Sequence, residues 1–366
     1  MKIKSLETFC NQAVGFVRVT TDEGKQGWGQ VSTYNADITC DIFHRQVARW
    51  ALGADALDID TLVTLIPERE HKFPGSYLMR AITGLDTALW DLRGKLENRT
   101  VCELLGGKPR PFRAYASSMK RSEISLEAEA ERMKRLQGEL GYDAFKFRVG
   151  KECGRDEDEW PGRTDKIVPM MRKALGEKAI LLVDGNSCYT PKKAIEVGRM
   201  LEQNGIVHFE EPCPYWQYGW TKEVTDTLSL DVTGGEQDCD LALWKFAMEM
   251  HAVDVAQPDI CYLGGICRTL KVVEMACRAG LPITPHAANL SMVTIFTLHL
   301  LGAIPNAGPY LEFSIEEADY YPWQYGLFRQ EIVAKNGCVQ IPEGPGWGID
   351  VNPAWLEESK YQKSEL

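Results

Sequence analysis

Residues 179–212, AILLVDGNSCYTPKKAIEVGRMLEQNGIVHFEEP, contain two short apolar runs separated by a stretch with helical character. The first run ends in Asp184 and the second in Glu210, 26 residues further on. A strand, a helix and two loops together take about 25 residues, so the stretch predicts a parallel strand–helix–strand unit. Both predicted strands end in a carboxylate.

The same interval recurs further along the chain. More apolar runs end in polar residues at steps of 26, 23, 27 and 26 residues: Glu236, Asp259, His286 and Glu312. A (β/α)8 barrel brings its strand ends to one rim, where such barrels carry their chemistry. An open doubly wound sheet would spread them along a line and would usually need a G-x-G-x-x-G turn, which this chain lacks. The spacing therefore favours an α/β fold with a TIM-like barrel.

The first part of the chain has a different pattern. Residues 1–40 predict antiparallel strands, with a hairpin turn at TDEGKQG (21–27). Residues 41–105 change to helical periodicity, which Gly106 and Gly107 end. An N-terminal α+β domain is therefore predicted to precede the barrel.

The composition limits the classes of function. A formal net charge of −11 over 366 residues argues against nucleic acids and anionic membranes as partners. An anionic substrate would need a local cluster of cations or a metal. Eleven cysteines without a C-x-x-C pair predict free thiols in a reducing compartment. The N terminus lacks a signal-like apolar run and no stretch predicts a membrane span, so we expect a cytoplasmic protein.

Asp184, Glu210 and Glu236 end three successive predicted strands. Three neighbouring carboxylates repel one another, so they cannot all remain ionised without a nearby cation. A ligand set made only of oxygens, without His or Cys, suits Mg²⁺. Water and substrate oxygens would complete the coordination of this ion. The trio therefore predicts a Mg²⁺ site, although any one of the three alone could be a rim carboxylate paired with a lysine.

Asp259 and His286 end the next two predicted strands. Adjacent strands could place the carboxylate against one ring nitrogen, which would fix the tautomer, raise the basicity of the imidazole and leave the other nitrogen facing the rim. We therefore predict an acid–base dyad. The remaining histidines lack such a partner and are predicted to be structural or at the surface: His44, His71, His208, His251 and His299.

Two cations share one face of an early barrel strand. In YDAFKFR (142–148), Lys146 and Arg148 are two residues apart and point the same way. They could bind an anionic substrate or balance the rim carboxylates. Glu312, on a late strand, is either a site residue or a buried structural acid.

These residues and motifs together resemble the mandelate racemase subgroup of the enolase superfamily. The segment AITGLDTALWDLRGKLENRTVCELLGG resembles the end of the N-terminal capping domain of that family. Further motifs follow in the family's order: the K-x-K-like strand end, VDGN, FEEP, GGEQ, QPDICYLGGI, PHAAN and YLE. The resemblance implies a capping domain at 1–112, a barrel at 113–329 and a segment at 330–366 that returns to the capping domain.

The resemblance also implies roles for individual residues. Asp184, Glu210 and Glu236 would be Mg²⁺ ligands, and Asp259 with His286 the general acid or base. Lys146 would neutralise charge at the substrate carboxylate, and Glu312, in its protonated form, would hydrogen-bond it. Asn186 could contact a substrate hydroxyl or the metal shell, and an Asx turn is an equal alternative.

One position departs from the family pattern. The second lysine of the family is Arg148 here, and guanidinium is a poor base that is suited to binding anions. This disfavours racemisation, which needs a base on each face of the reacting carbon. Muconate-lactonizing relatives are also disfavoured, because they have a lysine where this chain has Asp259.

The expected activity is therefore dehydration of an aldonic or aldaric acid to a 2-keto-3-deoxy acid, with His286 as the acid and also the base. A hydroxy-acid racemase or epimerase is the alternative, and a catalytically silent acid-sugar binder is a third hypothesis. Specificity should come from covering segments at 9–15, 31–37 (with Tyr34 and Asn35 as substrate contacts) and 72–77, which could equally be ordinary loops. The family resemblance implies a homo-oligomer, either a dimer or an octamer.

Overall fold

The computed structural model describes all 366 residues and contains two β-sheets. The smaller sheet is antiparallel, in the order β13-β1-β2-β3, and pairs the last strand of the chain with the first. Its strands are β1 (Ile3–Cys10), β2 (Gly15–Thr21), β3 (Gln26–Gln30) and β13 (Lys360–Glu365). The predicted hairpin is confirmed, since β2 and β3 pair across the turn at 22–25.

Helices pack against this sheet. They are α1 (Ala36–Ile42), α2 (Ala48–Ala51), α3 (Ile59–Arg69), α4 (Ser76–Glu97) and α5 (Val101–Leu104), with a π-helical turn at Phe43–Val47. Helix α1 begins at Ala36, so the prediction of strands as far as residue 40 was wrong over the last five residues. Gly27 and Gly29 allow β3 to lie directly on α4, because a Cβ at either position would come within 2.3 Å of an atom of that helix.

The larger sheet forms the barrel. Its parallel strands are β4 (Pro111–Ser117), β5 (Ala144–Arg148), β6 (Ile180–Asp184), β7 (Ile206–Glu210), β8 (Asp231–Gly234), β9 (Val255–Ala256) and β10 (Leu311–Ser314). Neighbours pair in that order from β4 to β9. Ile283 bridges in parallel to Ala256 and to Ala307, and β10 pairs with β4, so the sheet curves round to its own first strand. The predicted α/β fold with a barrel and an N-terminal cap is confirmed.

Helices connect the barrel strands on the outside. They are α6 (Leu126–Leu140), α7 (Arg163–Leu175), α8 (Pro191–Gln203), α9 (Tyr218–Thr225), α10 (Leu241–Glu249), α11 (Ile260–Leu263), α12 (Ile266–Ala279) and α13 (Met292–Leu301). After β10 the chain forms a 3-10 turn (Pro322–Gln324), β11 (Ala334–Lys335), β12 (Cys338–Gln340) and α14 (Pro353–Glu358). Strand β12 pairs antiparallel with β4, so this part of the C-terminal segment lies against the barrel.

One apolar cluster of 87 buried residues extends from the N-terminal sheet into the barrel, so the two parts share a core. All eleven cysteines are free, as predicted, and most are buried. None of the helices combines the length and the apolar character that crossing a bilayer would require.

Candidate active site

Strand register places the predicted site residues on one rim. Arg148 is directly opposite Asp184, and Asp184 is directly opposite Glu210, so the last residues of β5, β6 and β7 are level with one another. Glu236 follows the end of β8 by two residues, and Asp259 caps the N terminus of α11 just after β9. Because the strands are parallel, these side chains all belong to the carboxyl end of the barrel.

Lys146 is buried in the centre of this rim. Its Nζ lies 2.8 Å from Glu210 Oε2 and 2.6 Å from Glu312 Oε1. Burial alone would lower the pKa of this ammonium group, but the charges of Glu210 and Glu312 outweigh it and raise the pKa well above its ordinary value. These two carboxylates therefore favour the charged form of Lys146.

The three predicted metal ligands are each turned towards a cation. No three His, Cys, Asp or Glu side chains in the structure are grouped with metal-binding spacing. Instead the shortest cation-to-carboxylate distances are 3.9 Å for Arg148 and Asp184, 2.8 Å for Lys146 and Glu210, and 3.4 Å for His286 and Glu236.

Glu210 provides the test of whether a divalent cation would fit. Its Oε1 is buried and has no hydrogen-bond partner. Burial, opposed by Lys146 but reinforced by the neighbouring carboxylates of Asp184, Glu312 and Glu236, raises its pKa to about 8. An unpartnered carboxylate oxygen among other carboxylates is the environment that Mg²⁺ would stabilise. The residues present therefore fit the predicted ion.

The predicted dyad is formed. Asp259 Oδ2 lies 2.7 Å from His286 Nδ1, while Asp259 Oδ1 accepts hydrogen bonds from the amides of Cys261 and Tyr262. These amides fix the carboxylate, and the carboxylate fixes the ring, so Nε2 points towards Glu236. Burial would lower the pKa of His286, but Glu236 and Asp259 outweigh it and raise the pKa to about 10. In this arrangement the imidazole holds a proton that it can donate.

Glu312 is buried, and both of its carboxylate oxygens have partners. Oε1 accepts from Ser117 Oγ at 2.8 Å and faces Lys146, while Oε2 accepts from the amide of Ala287 at 2.8 Å. Although burial would raise its pKa, Lys146 and His286 lower it to about 2. An ionised carboxylate with both oxygens engaged accepts hydrogen bonds only. Glu312 therefore holds Lys146 in place, and its hydrogen bond to a substrate carboxylate stays a prediction.

The Asx turn predicted for Asn186 is instead formed by Asp184, whose side chain accepts from the Asn186 amide, while Asn186 Oδ1 accepts from Arg121. The backbone N–H of Asn186 donates to Asp184 Oδ1 at 2.8 Å, and its Nδ2 donates to Asp184 Oδ2 at 2.9 Å. The backbone of Asn186 is left-handed, with φ of 42°. The amide therefore serves the predicted metal ligand directly, and contact with a substrate stays a prediction.

The covering segments have different positions. Tyr34 packs edge-on against Trp323, with ring centroids 5.8 Å apart, and Asn35 Nδ2 donates to the Tyr77 hydroxyl at 3.3 Å. Segment 31–37 therefore lies between the loop after β10 and segment 72–77. Segment 9–15 contains the end of β1 and a turn: Phe9 packs on Trp28 and Tyr361, while the carbonyls of the turn accept from the amides of Tyr34 and Ala36, and its covering role stays a prediction.

Three residues of the site were missed from the sequence. Gln257 Nε2 donates to Glu210 Oε2 at 3.0 Å, and Ser117 donates to Glu312. Both lie at or just after barrel strand ends, where the spacing could have found them. Arg121 Nη2 donates to Asn186 Oδ1 at 2.7 Å from the loop after β4, and no spacing rule points to it.

Comparison with protein families gives a clear result. Residues 2–106 match the family described as Mandelate racemase / muconate lactonizing enzyme, N-terminal domain, and residues 126–355 match Enolase C-terminal domain-like. The two matches together cover most of the chain. The chain belongs to the enolase superfamily, in the mandelate racemase subgroup.

Relatives within the enolase superfamily carry several activities. The chain is 29% identical to D-galactarolactone cycloisomerase of Agrobacterium fabrum, over 96% of this chain and 92% of that one. It is 27% identical to arabinonate dehydratase of Saccharolobus solfataricus, over 93% and 89% of the two chains. A crystal structure of a candidate racemase from Roseobacter denitrificans is 62% identical, covers both chains fully and superposes with a TM-score of 0.99.

Proposed function

We propose that the protein is a Mg²⁺-dependent dehydratase that converts an aldonic or aldaric acid into a 2-keto-3-deoxy acid. The observation that carries this proposal is the asymmetry of the rim. One side holds the His286–Asp259 dyad, and the other holds Arg148, whose guanidinium is a poor base. Elimination of a β-hydroxyl can use one acid–base group on one face. The dehydratase named among the relatives supports the same reaction class.

Asp184, Glu210 and Glu236 would hold the metal, and Gln257 and Asn186 would orient two of these carboxylates. Bound there, Mg²⁺ would stabilise negative charge on the substrate carboxylate as the α-proton leaves. The ammonium group of Lys146 adds a fixed positive charge beside the predicted metal ligands, and its buried contact with Glu312 keeps this group charged.

His286 would move the protons. In its neutral form Nε2 can take the proton next to the carboxylate, and in its charged form it can give a proton to the departing hydroxyl, which leaves as water. Asp259 holds Nδ1 throughout, so Nε2 is the reacting nitrogen. The enol that remains becomes the 2-keto-3-deoxy acid.

A racemase or epimerase is the second candidate, because the candidate racemase from Roseobacter denitrificans is 62% identical. That reaction needs a second base opposite His286. Burial would lower the pKa of Arg148, but Asp184 and the hydroxyls of Tyr320 and Tyr321 outweigh it and raise the pKa above its ordinary value. Arg148 is thus an even poorer base here than in water, which favours dehydration.

A screen of aldonic and aldaric acids for keto-acid formation with Mg²⁺ present tests the proposal. The screen should include galactarolactone, for which the Agrobacterium relative is named. We expect keto acid from at least one acid sugar and no inverted substrate recovered from D2O. Recovered substrate that is inverted and deuterated at C2 would favour the racemase. Ligand-induced thermal stabilisation without any product would indicate a silent binder.

His286→Asn tests the assignment of the acid–base residue. We expect turnover to fall by about 10²–10⁴-fold or more, while Mg²⁺ binding measured by calorimetry remains, since His286 is not a predicted ligand. His251→Asn is the matched control, because His251 is exposed and bonds only Asp254. Full activity of the His286→Asn variant would exclude this residue as the acid or base.

A further inference from the structure

A cavity of about 430 Å³ opens beside Arg148 at the mouth of the barrel. Its buried and half-buried lining includes Met119, Arg121, Arg148, Tyr320 and one carboxylate, Glu159, whereas the charged residues Glu123, Lys151 and Glu152 are exposed. Charges at the exposed rim are solvated and screened, whereas those on the floor are not. The one buried charge of this lining, Arg121, and its half-buried neighbour Arg148 are both positive, in a protein whose net charge is −11.

The guanidinium of Arg121 has no anionic partner. Arg121 is only 6% exposed to solvent. Its guanidinium donates to the carbonyl of Gly150 at 3.1 Å and to Asn186 Oδ1 at 2.7 Å. Both acceptors are neutral, and no carboxylate oxygen lies within 4.0 Å of the guanidinium nitrogens, although the backbone amide of Arg121 donates to Glu123 Oε2 at 2.8 Å. Burial and then the like charge of Arg148 lower the pKa of Arg121. A buried guanidinium without a counter-ion is costly, because its desolvation is not offset.

Arg148 also has no close ion-pair partner. Its Nε is buried and has no hydrogen-bond partner, its Nη2 contacts only the sulfur of Met119 at 3.3 Å, and the nearest carboxylate oxygen, on Asp184, is 3.9 Å away. Two guanidinium groups thus face one cavity with donor capacity to spare. Their planar donor sets suit a carboxylate, which can accept two hydrogen bonds at once.

The position of the cavity separates it from the centre of the reaction. Lys146 lies among Glu210 and Glu312 in the middle of the rim, and Arg148 is two residues nearer the carboxyl end of the same strand. A ligand whose reacting carboxylate is held at the centre would extend its other end past Arg148. That end would enter the cavity.

We propose that Arg121 and Arg148 bind a second carboxylate of the substrate, so that the acid sugar is a dicarboxylic aldaric acid rather than a monocarboxylic aldonic acid. This inference rests on the proposed function, since it assigns the far end of the same substrate. Under this proposal, Arg121 contributes to substrate specificity from a loop and not from a barrel strand.

The activity test compares matched pairs that differ only at the far end, galactarate with galactonate and glucarate with gluconate. We expect the aldarate of at least one pair to have the higher kcat/KM by about 100-fold, since a site built for a charged group rejects the analogue that lacks it. Arg121→Met should lower that preference at least about tenfold. The ratio is the readout, because a general loss of structure would affect both members of a pair equally.

Two further variants sharpen the result. Arg121→Lys retains the charge without the fork and should restore part of the preference. Lys178→Gln removes one exposed cation just before β6, at the opposite end of the barrel, and should leave the ratio unchanged. Equal turnover of aldarates and aldonates, or an equal loss on both in Arg121→Met, would overturn the inference. So would preference for 6-phosphogluconate over glucarate, which would identify a phosphate site instead.

A binding measurement separates this inference from the proposed function. Without Mg²⁺, galactarate should raise the thermal midpoint of the wild-type protein more than galactonate does, and Arg121→Met should abolish the difference. If aldonates react and aldarates do not, the proposed function stands and this inference fails. If no acid sugar reacts but the Arg121-dependent stabilisation is seen, the anion site stands and the dehydratase assignment fails. No stabilisation by galactarate would count against the site.

Discussion

The two carboxylate oxygens of Asp259 have different partners, so a substitution can remove its negative charge and still retain its role as a helix cap. Oδ1 caps α11 through two amides, and Oδ2 contacts His286. Asparagine is an equally good N-cap residue, so Asp259→Asn should retain the fold while it removes the negative charge beside the ring. We expect kcat to fall by about 10²–10⁴-fold, measured as keto-acid formation.

The matched control for that substitution is Asp240→Asn. Asp240 also caps a helix, α10, but its side chain is exposed to solvent and lies outside the dyad. Its variant should retain activity within about threefold. A similar loss in both variants would show that capping, and not the charge on Asp259, is what matters.

Single residues also show where sequence reasoning ends. The interval between strand ends placed Asp184, Glu210 and Asp259 correctly on the rim, because strand polarity determines the end at which they lie. It could not show that Glu312 would be saturated by Ser117, Lys146 and an amide, since these partners come from other strands and a loop.

At the scale of elements, β3 and α4 pack closely because of the glycines of β3. A Cβ on Gly29 would lie 2.3 Å from Thr87 Oγ1 and 2.5 Å from the backbone nitrogen of Ala88. Backbone atoms cannot move aside cheaply, so Gly29→Ala should lower the free energy of unfolding by about 1–3 kcal/mol or more. Urea denaturation measures this change.

Gly138→Ala is the matched comparison for this prediction. Gly138 lies in the exposed part of α6 with no atom within 4 Å of a Cβ placed there. Alanine there should stabilise the protein by about 0.5–1 kcal/mol, through its higher helix propensity. If both alanine variants shift stability in the same direction, contact between β3 and α4 is not the determining factor at Gly29.

Elements were predicted best where one period repeats. Alternating apolar runs gave the barrel strands, and the 3.6-residue pattern gave α4. The covering segments were harder, because Asn11 to Val14 form a tight turn whose strand neighbours look polar and aromatic in the sequence. A lid and a turn have the same composition, and only packing distinguishes them.

Across the whole molecule, Tyr34 connects the N-terminal part to the loop after β10. Tyr34 and Asn35 both have left-handed backbones, with φ of 61° and 49°. Such strain in consecutive non-glycine residues is often associated with function. If segment 31–37 covers a bound substrate, Tyr34→Ala should raise KM about tenfold, or ~1.4 kcal/mol, with kcat nearly unchanged. Tyr361→Ala, an exposed tyrosine on β13, is the control.

The continuous core explains why the division of the chain is hard to locate from sequence. Apolar residues of the sheet, the helices and the barrel belong to one cluster, so composition does not change at a clean boundary. The division at 112/113 and 329/330 stays a prediction. The cytoplasmic location and the homo-oligomeric state also stay predictions.

His299 connects three parts of the chain and is predicted to make stability depend on pH. It lies in α13, is fully buried, accepts from the amide of Cys102 on Nδ1 at 3.0 Å and donates from Nε2 to the carbonyl of Trp347 at 3.1 Å. Because Nδ1 accepts the hydrogen bond from this amide, it cannot carry a proton at the same time. Burial, the largest influence, lowers its pKa to about 4, against about 6.5 in the unfolded chain.

The sign follows from proton binding. Below pH 6.5 the unfolded chain takes up a proton that folded His299 refuses, so the free energy of unfolding falls as the pH drops and levels off near pH 4. Between pH 7 and 5.5 this one group should cost about 1 kcal/mol. His44, whose pKa burial also lowers to about 4, adds a similar share. In urea denaturation, the free energy of unfolding of wild type relative to His299→Gln should fall by about 1 kcal/mol from pH 7 to 5.5, and relative to the double variant His299→Gln with His44→Gln by about twice that. A His299→Gln variant with the full wild-type slope would show that this histidine is not the residue that senses pH.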